Sequence, residues 1–290
     1  MGAAQLIDLH HQGEKVIGCY LLETNDGLAL NDCGPTTCIP ALKAGLHDSG
    51  VELHDVRHLL LSHIHLDHAG AAGTLVREHP ALQVHVSEIG APHVVDPTRL
   101  ERSARRLYGD AFDALWGELA PVPEENVHAV GSRVLGLDCF PSPGHASHHV
   151  CYLGDDGMLY AGDSLGVRIQ PGRHILPVSP PPDVDLEGWE RTFAEIDRRA
   201  PAGAALIHFG IVDDPQEHVA RMREALRLWS DRVRDGMSQD EFVAAARADL
   251  HAAQEGDVTY YERAGPFWQS YLGLERYWQK SRESAVVSGT

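Results

Sequence analysis

The chain lacks most of the features that would direct it to a membrane, an oxidising compartment or a polyanion. No segment reaches the roughly 18 consecutive apolar residues of a membrane-spanning helix. The opening Met-Gly-Ala-Ala-Gln-Leu-Ile-Asp-Leu-His has neither the basic start nor the apolar core of a secretory signal. A cytoplasmic protein without a membrane partner is therefore expected. Cysteine is scarce: five residues at 19, 33, 38, 139 and 151 are an odd count with no C-x-x-C pair, and neither a disulfide framework nor a thiolate zinc site follows from that spacing. Buried thiols are the expected state. Basic side chains are also in short supply, 24 against 42 acidic ones for a formal charge of -18. Such a surface repels the phosphate backbone, so no nucleic-acid partner is expected. No serine sits in a G-x-S-x-G elbow, and Ser62, Ser142, Ser147 and Cys151 read as turn, cap and packing residues.

Histidine, in contrast, is abundant, with 19 residues. Imidazole is the commonest transition-metal ligand, so some of these residues need a chemical explanation. With 43% apolar and 23% charged residues, the chain has material for a large core, and its 290 residues suit one main domain with an appendage.

Up to about residue 170 the chain reads as short apolar strands punctuated by glycine, with helices between some of them, an α/β layered pattern. Val16 to Thr24 and Gly27 to Asn31 form an expected hairpin around Asn25-Asp26-Gly27, because Asp-Gly supplies the positive φ of a tight turn. His58 to Ser62 reads as a strand that stops where a histidine cluster begins. Further strands are expected at Gln83 to Ser87, Arg133 to Phe140, His149 to Leu153, Met158 to Ala161 and Ala204 to Phe209. Apolar positions from Leu100 to Leu119 recur at helical spacing, predicting a helix or helix pair at about 97–120. Gln170 to Asp185, with five prolines, is a loop. After Pro215 two or three helices are expected, one opened by the capping box Ser238-Gln239-Asp240-Glu241, with Ser281 to Thr290 frayed. The expected division is a catalytic domain over 1–212, with the 97–120 insertion, and a helical extension over 213–290 packed on it.

His63, His65, Asp67 and His68 fall within six residues just after a strand, where a loop can turn three imidazoles and a carboxylate to one point. Nitrogen and oxygen donors in this mixture suit Zn²⁺, with Fe or Mn as alternatives. Potential ligands also stand at other strand ends, in Gly144-His145, Gly162-Asp163 and His208-Phe209-Gly210.

Taken together, these elements resemble the metallo-β-lactamase superfamily. His63, His65, Asp67 and His68 match its H-x-H-x-D-H signature, Ser142-Pro143-Gly144-His145 its P-G-H element, Ala161-Gly162-Asp163 its G-D element, and Ile207-His208-Phe209-Gly210 its last histidine. Asp32, in Asn31-Asp32-Cys33-Gly34, matches the early aspartate that braces the first motif. The resemblance, from about Gly18 to Gly210, implies a four-layer αββα sandwich with two divalent ions at one rim. It implies that His63, His65 and His145 hold one ion, that Asp67, His68 and His208 hold the other, and that Asp163 bridges them. Asp67 and Asp163 become the catalytic carboxylates, and a hydroxide bridging the metals the nucleophile. His149 is similar to the second histidine of P-G-H-T-x-x-H in the glyoxalase II-like branch, and takes a supporting role with His148.

Substrate is less closely specified. The spacing of P-G-H and G-D and the helical tail resemble the glyoxalase II-like and lactonase group, implying a small-molecule thioester, lactone or related carboxyl ester. A phosphodiesterase or nuclease of the same superfamily is the alternative enzyme, and a metal-containing sensor or binding protein with vestigial hydrolysis the non-enzymatic reading. Tyr108, Trp116, Arg168, Arg173 and His174 are the expected pocket side chains. The aromatic-rich tail is left open between packing, an acyl pocket and a homodimer seam.

Overall fold

A computed structural model describes residues 4–253 and 258–288. Its framework is two six-stranded sheets. The first takes β1 (Gln5–Asp8), β2 (Gly18–Thr24), β3 (Gly27–Asn31), β4 (Val56–Leu60), β5 (Gln83–Val86) and β6 (Val127–Ala129) in chain order. Its first three strands are antiparallel, and β3 to β6 run parallel. The second contains β7 (Arg133–Val134), β8 (Leu137–Pro141), β9 (Val150–Leu153), β10 (Met158–Gly162), β11 (Gly203–Leu206) and β12 (Gly210–Val212), again in sequential order. Only β10 and β11 are parallel there.

Around the sheets lie α1 (Ile39–Asp48), α2 (Leu66–Ala69), α3 (Ala72–Glu78), α4 (Ala91–Val95), α5 (Thr98–Tyr108), α6 (Phe112–Trp116) and α7 (Leu186–Arg199). The chain ends in α8 (Pro215–Arg234), α9 (Gln239–Ala252), α10 (Val258–Ala264) and α11 (Phe267–Ser288). This is the expected αββα sandwich with added C-terminal helices.

The inner faces meet over an apolar core to which both sheets contribute, including Leu30, Leu59, Ala161 and Leu206. Two buried tyrosines tie the sheets together: Tyr20 Oη donates to Leu206 O at 2.9 Å, and Tyr152 Oη to Leu61 O at 2.8 Å. Each keeps its polar tip satisfied inside an apolar layer. Outside, α1 lays Gly45 against Ile7 of β1, and α7 ends with the Arg199 guanidinium over the Phe140 ring. All five cysteines are free and buried. Among the described residues no helix is long and apolar enough to cross a membrane.

The structure departs from the sequence expectations in several elements. Arg133 to Phe140 is not one strand but a hairpin, β7 and β8, because Leu135 (φ 52°) and Gly136 (φ 90°) both turn left-handed. Among the described residues the tail holds four helices rather than two or three, Gly265-Pro266 separating α10 from α11 where proline cannot continue the first helix. Ser281 to Ser288 is not frayed but continues α11; positions 289–290 lie outside the described residues.

The tail packs on the sandwich. Trp229 of α8 meets Phe242 of α9 and Phe267 of α11 edge-on, at 4.9 and 5.9 Å between ring centres. Ser270 of α11 reaches the proline-rich loop, donating to Pro177 O at 3.3 Å and accepting from Ser179 N at 3.2 Å. A segment without regular hydrogen bonds is thereby positioned beside the strand ends.

Candidate metal centre

The histidine cluster follows the carboxyl end of β4, where an α/β sheet delivers loop side chains to a common rim. Leu61 and Ser62 leave the strand, His63 to His65 form the loop, and α2 carries Asp67 and His68. His145 follows β8, Asp163 follows β10, His208 follows β11 and Asp32 follows β3. Five strand ends thus supply one site.

Seven side chains fall into two adjoining groups, His63, His65 and His145 in one and Asp67, His68, Asp163 and His208 in the other. In the first, His65 Nδ1 lies 3.0 Å from His63 Nε2 and 2.8 Å from His145 Nε2. In the second, Asp163 Oδ1 lies 3.2 Å from His68 Nε2 and 3.4 Å from His208 Nε2, and Asp67 Oδ2 3.5 Å from His208 Nε2. The other oxygen of Asp163 faces the first group, 3.4 Å from His145 Nε2. One carboxylate addresses both groups.

Hydrogen bonds behind the imidazoles decide which nitrogen each presents. Asp32 Oδ2 accepts from His68 Nδ1 at 2.8 Å, Val178 O from His145 Nδ1 at 2.7 Å and Val16 O from His208 Nδ1 at 2.5 Å. Ser62 Oγ donates its one proton to Asp32 at 2.7 Å, so at 3.0 Å it accepts from His63 Nδ1. In each case Nε2 is left facing inward. Asp32 is fully buried and also accepts from Ser62 N at 2.7 Å, as expected for a bracing residue. His149 Nε2 accepts from the Asp163 backbone N–H at 3.0 Å, and its Nδ1 meets Ser142 Oγ at 2.6 Å. Its role is to hold the Asp163 turn. That turn requires Gly162: φ is 49°, and a Cβ would stand 2.5 Å from His149 Nε2 and 2.6 Å from Ser62 Cβ.

The electrostatics divide the same way. Burial, then the neighbouring imidazoles, hold His63 and His65 well below the ordinary histidine value. At His68 and His208 burial also opposes a charge, but the carboxylates, led by Asp163, outweigh it and raise both. Asp67 and Asp163 stay below the usual carboxylate range: burial pushes up, and the facing histidines, His68 foremost, prevail. Protein groups alone leave this arrangement incomplete. Two inward lone pairs, on His63 and His145, confront a single His65 nitrogen, which can bridge at most one of them. Buried His68 Nε2, His208 Nε2 and Asp163 Oδ1 have no aligned hydrogen-bond partner. Convergent lone pairs and orphaned buried atoms are the arrangement that cations complete, and the residues fit two divalent ions.

Above the site opens a cavity of about 650 Å³, within the usual range for small-molecule sites. His65, Asp67, His145 and Asp163 stand at its base, and α5, α6, the 178–182 stretch and the start of α11 supply its walls. α6 docks through Phe112 and Trp116 onto Leu66, the neighbour of Asp67, so the 97–120 segment is anchored on the loop that carries the histidine cluster. Tyr108 faces the cavity and its Oη accepts from Gln269 Nε2 at 3.2 Å. Burial, then the Asp67 carboxylate, raise its phenol above the ordinary value.

A family model described as the metallo-beta-lactamase superfamily matches residues 14–211. The chain belongs to the metallo-β-lactamase superfamily. Metallo-beta-lactamase fold-containing protein ST1585 of Sulfurisphaera tokodaii is 25% identical over 204 residues, 66% of this chain and 76% of that protein. Hydroxyacylglutathione hydrolase of Xanthomonas campestris pv. campestris is 30% identical over 147 residues, 50% of this chain and 45% of that protein. Among solved structures, metallo-beta-lactamase family protein TTHA1429 from Thermus thermophilus superposes with a TM-score of 0.69 at 18% identity, covering 97% of this chain and 95% of that one. Within the superfamily this chain is a hydrolase, with His and Asp groups disposed to bind divalent metal.

Not every expected pocket residue reaches the cavity. Tyr108 and Trp116 line it; Arg168, Arg173 and His174 do not. Arg168 is buried, and a buried guanidinium needs a counter-ion, which Asp214 provides at 2.6 Å, away from the cavity. Arg173 pairs with the same carboxylate at 2.7 Å, and the His174 ring packs edge-on against Tyr261. Residues without motif context take their places instead. Buried His11 stacks on Trp116 with centroids 5.2 Å apart, and its Nε2 meets Gln12 Nε2 at 3.2 Å. Gln12, in the cavity lining, belongs to a loop in which His10, Gln12 and Lys15 all have φ between 51° and 59°. Asp8 holds that loop through the N–H groups of His10 and Lys15 at 2.9 and 2.8 Å. Non-glycine residues in left-handed conformations cluster at functional sites, but sequence carries no sign of them.

Proposed function

We propose that the chain holds two divalent ions, Zn²⁺ being the expected occupant, and hydrolyses a thioester, lactone or related carboxyl ester. His63, His65 and His145 would hold one ion and Asp67, His68 and His208 the other, with Asp163 serving both. The observation carrying this reading is Asp163, whose two oxygens face the two donor groups at the base of a largely apolar cavity. When bound, such a pair acidifies water toward hydroxide near neutral pH and polarises a carbonyl oxygen. Similarity to a relative named hydroxyacylglutathione hydrolase supports the glyoxalase II-like branch.

The protein's own groups supply orientation. Asp32, Val16 and Val178 lock three imidazoles so that the inward nitrogens need no reorganisation. Tyr108 already accepts from Gln269, which leaves its own proton to donate to a substrate oxygen as charge develops there. Trp116 and Phe267 exclude water from the same space and strengthen that bond.

A panel of thioesters, N-acyl homoserine lactones, phosphodiesters and β-lactams, assayed with Zn²⁺, Mn²⁺ and Fe²⁺, tests the assignment. Expected are close to two ions per chain, turnover confined to carboxyl-ester-like bonds, and loss of both ion content and turnover in Asp163→Ala. Failure to take up metal on reconstitution, or full turnover after exhaustive chelation, would overturn it.

A further inference from the structure

The cavity has two kinds of lining. Leu100, Leu107, Trp116, Val178, Phe267 and Trp268 give it long apolar walls. Its basic side chains are three arginines from three helices: Arg106 of α5, Arg247 of α9 and Arg263 of α10. All three are exposed, whereas His145 and Asp163 at the base are buried, so the arginines stand at the mouth.

Their charge is only partly answered. Glu262, also in the lining, pairs with Arg247 at 2.5 Å. Arg263 Nη1 donates to a neutral acceptor, Gln12 O, at 2.6 Å. Arg106 has no carboxylate partner among the described residues, whereas its neighbour Arg105 is held by both Glu101 and Asp113. Three guanidinium groups against one carboxylate leave an excess of two positive charges at the mouth of a cavity in a chain of formal charge -18. Apolar walls bind without direction, and a charge at one end supplies the direction.

Resting on the reading of the centre as a two-ion ester or thioester hydrolase, we propose that its substrates are amphipathic chains with an anionic far end. The scissile carbonyl lies at the base, an apolar acyl or alkyl segment spans the walls, and a terminal carboxylate or phosphate meets Arg106, Arg247 and Arg263. An exposed ion pair changes binding by about fivefold per arginine at most. The preference is therefore a matter of severalfold, and it weakens with salt.

The test uses metal-loaded full-length protein and matched aryl esters of sebacic acid, one with its distal carboxylate free and one with it methylated, beside an ester ending in phosphate. Expected is a kcat/KM for the distal anions at least about fivefold above the methylated ester, shrinking in molar salt. That ratio falls toward one in Arg106→Gln combined with Arg247→Gln. Comparison of carboxylate with phosphate identifies the anion. A ratio at or below one, or a ratio indifferent to the arginine substitutions, would overturn the proposal. A second arm needs no turnover: calorimetric titration of metal-free protein with decyl phosphate and with decanol. Tighter binding of decyl phosphate, weakened about fivefold by Arg106→Gln, supports the anion site even if none of the esters is cleaved. Equal affinities refute it, whatever the hydrolytic result.

Discussion

Replacing Asp32 by Asn tests how the site presents its nitrogens. Asn tolerates the left-handed backbone at this position (φ 57°), so the substitution alters chemistry and not chain path. The Ser62 backbone N–H can only donate, so the amide oxygen must take the place of Oδ1, and the NH₂ group then occupies the place of Oδ2. There it meets Ser62 Oγ, which can rotate to accept, and His68 Nδ1, which at 2.8 Å must give up its proton. The proton moves to Nε2 and points at Asp163 Oδ1, where a cation needs a lone pair. Two charge-assisted hydrogen bonds of about 1.5–3 kcal/mol each are lost or reversed, so with partial compensation the metal-free protein loses about 2–4 kcal/mol. Affinity for one ion of the two drops about 10- to 100-fold, the usual effect of removing such a support. In the other group His145 keeps its own backbone brace at Val178, and Asp32 reaches His63 only through Ser62, so the losses are unequal. Titration against a competing chelator, followed by elemental analysis, should give a stoichiometry moving from two toward one. Asp32→Asn protein that binds both ions with wild-type affinity would refute the tautomer argument.

Three further outcomes follow from the same geometry. Tyr108→Phe should lower kcat by about tenfold or more with a smaller effect on KM, as for loss of a donor used mainly in the transition state; an equal rise in KM with unchanged kcat would contradict it. Gly162→Ala forces a Cβ to 2.5 Å from His149 Nε2 at φ 49°, and urea unfolding should show about 2–4 kcal/mol lost; wild-type stability would mean that the Asp163 turn is not constrained as described. His218 is fully buried and donates from Nε2 to Leu165 O at 2.7 Å; burial is the main reason its ring is pushed down to about 4. The unfolded chain takes up that proton near 6.5 and the folded one near 4, so stability falls as pH falls through this window, by about 3 kcal/mol once below it. His218→Gln should flatten the slope of melting temperature against pH between 6.5 and 4, and curves parallel to wild type would show that His218 does not carry it.

How much was legible in the sequence depended on how local the constraint is. The donor residues that the fold brings together were readable as candidates because each stands just after a strand, in a short motif of donor atoms and glycine. Asp32, His149 and the cavity side of Tyr108 were readable through the same resemblance and the amphipathic pattern of 97–120. The β7–β8 hairpin was missed because Leu135 does not announce a left-handed turn, and the number of tail helices because a single Gly265-Pro266 step is what separates α10 from α11. Arg168 and His174 were misplaced because charge and aromaticity do not reveal direction; Asp214 draws the first away and Tyr261 packs against the second.

Sequence alone determined the superfamily, the αββα architecture and which donor atoms are available to hold metal, since strand-end motifs are written in consecutive residues. Tertiary structure alone decided the rest. It set the tautomers, through carbonyls as distant as Val16 from His208 and Val178 from His145. It also composed the cavity, which joins Gln12, Arg106, Arg247 and Trp268 from segments that meet only when the tail folds over the sheets. Metal chemistry is specified by neighbours along the chain, and substrate shape by neighbours across the fold.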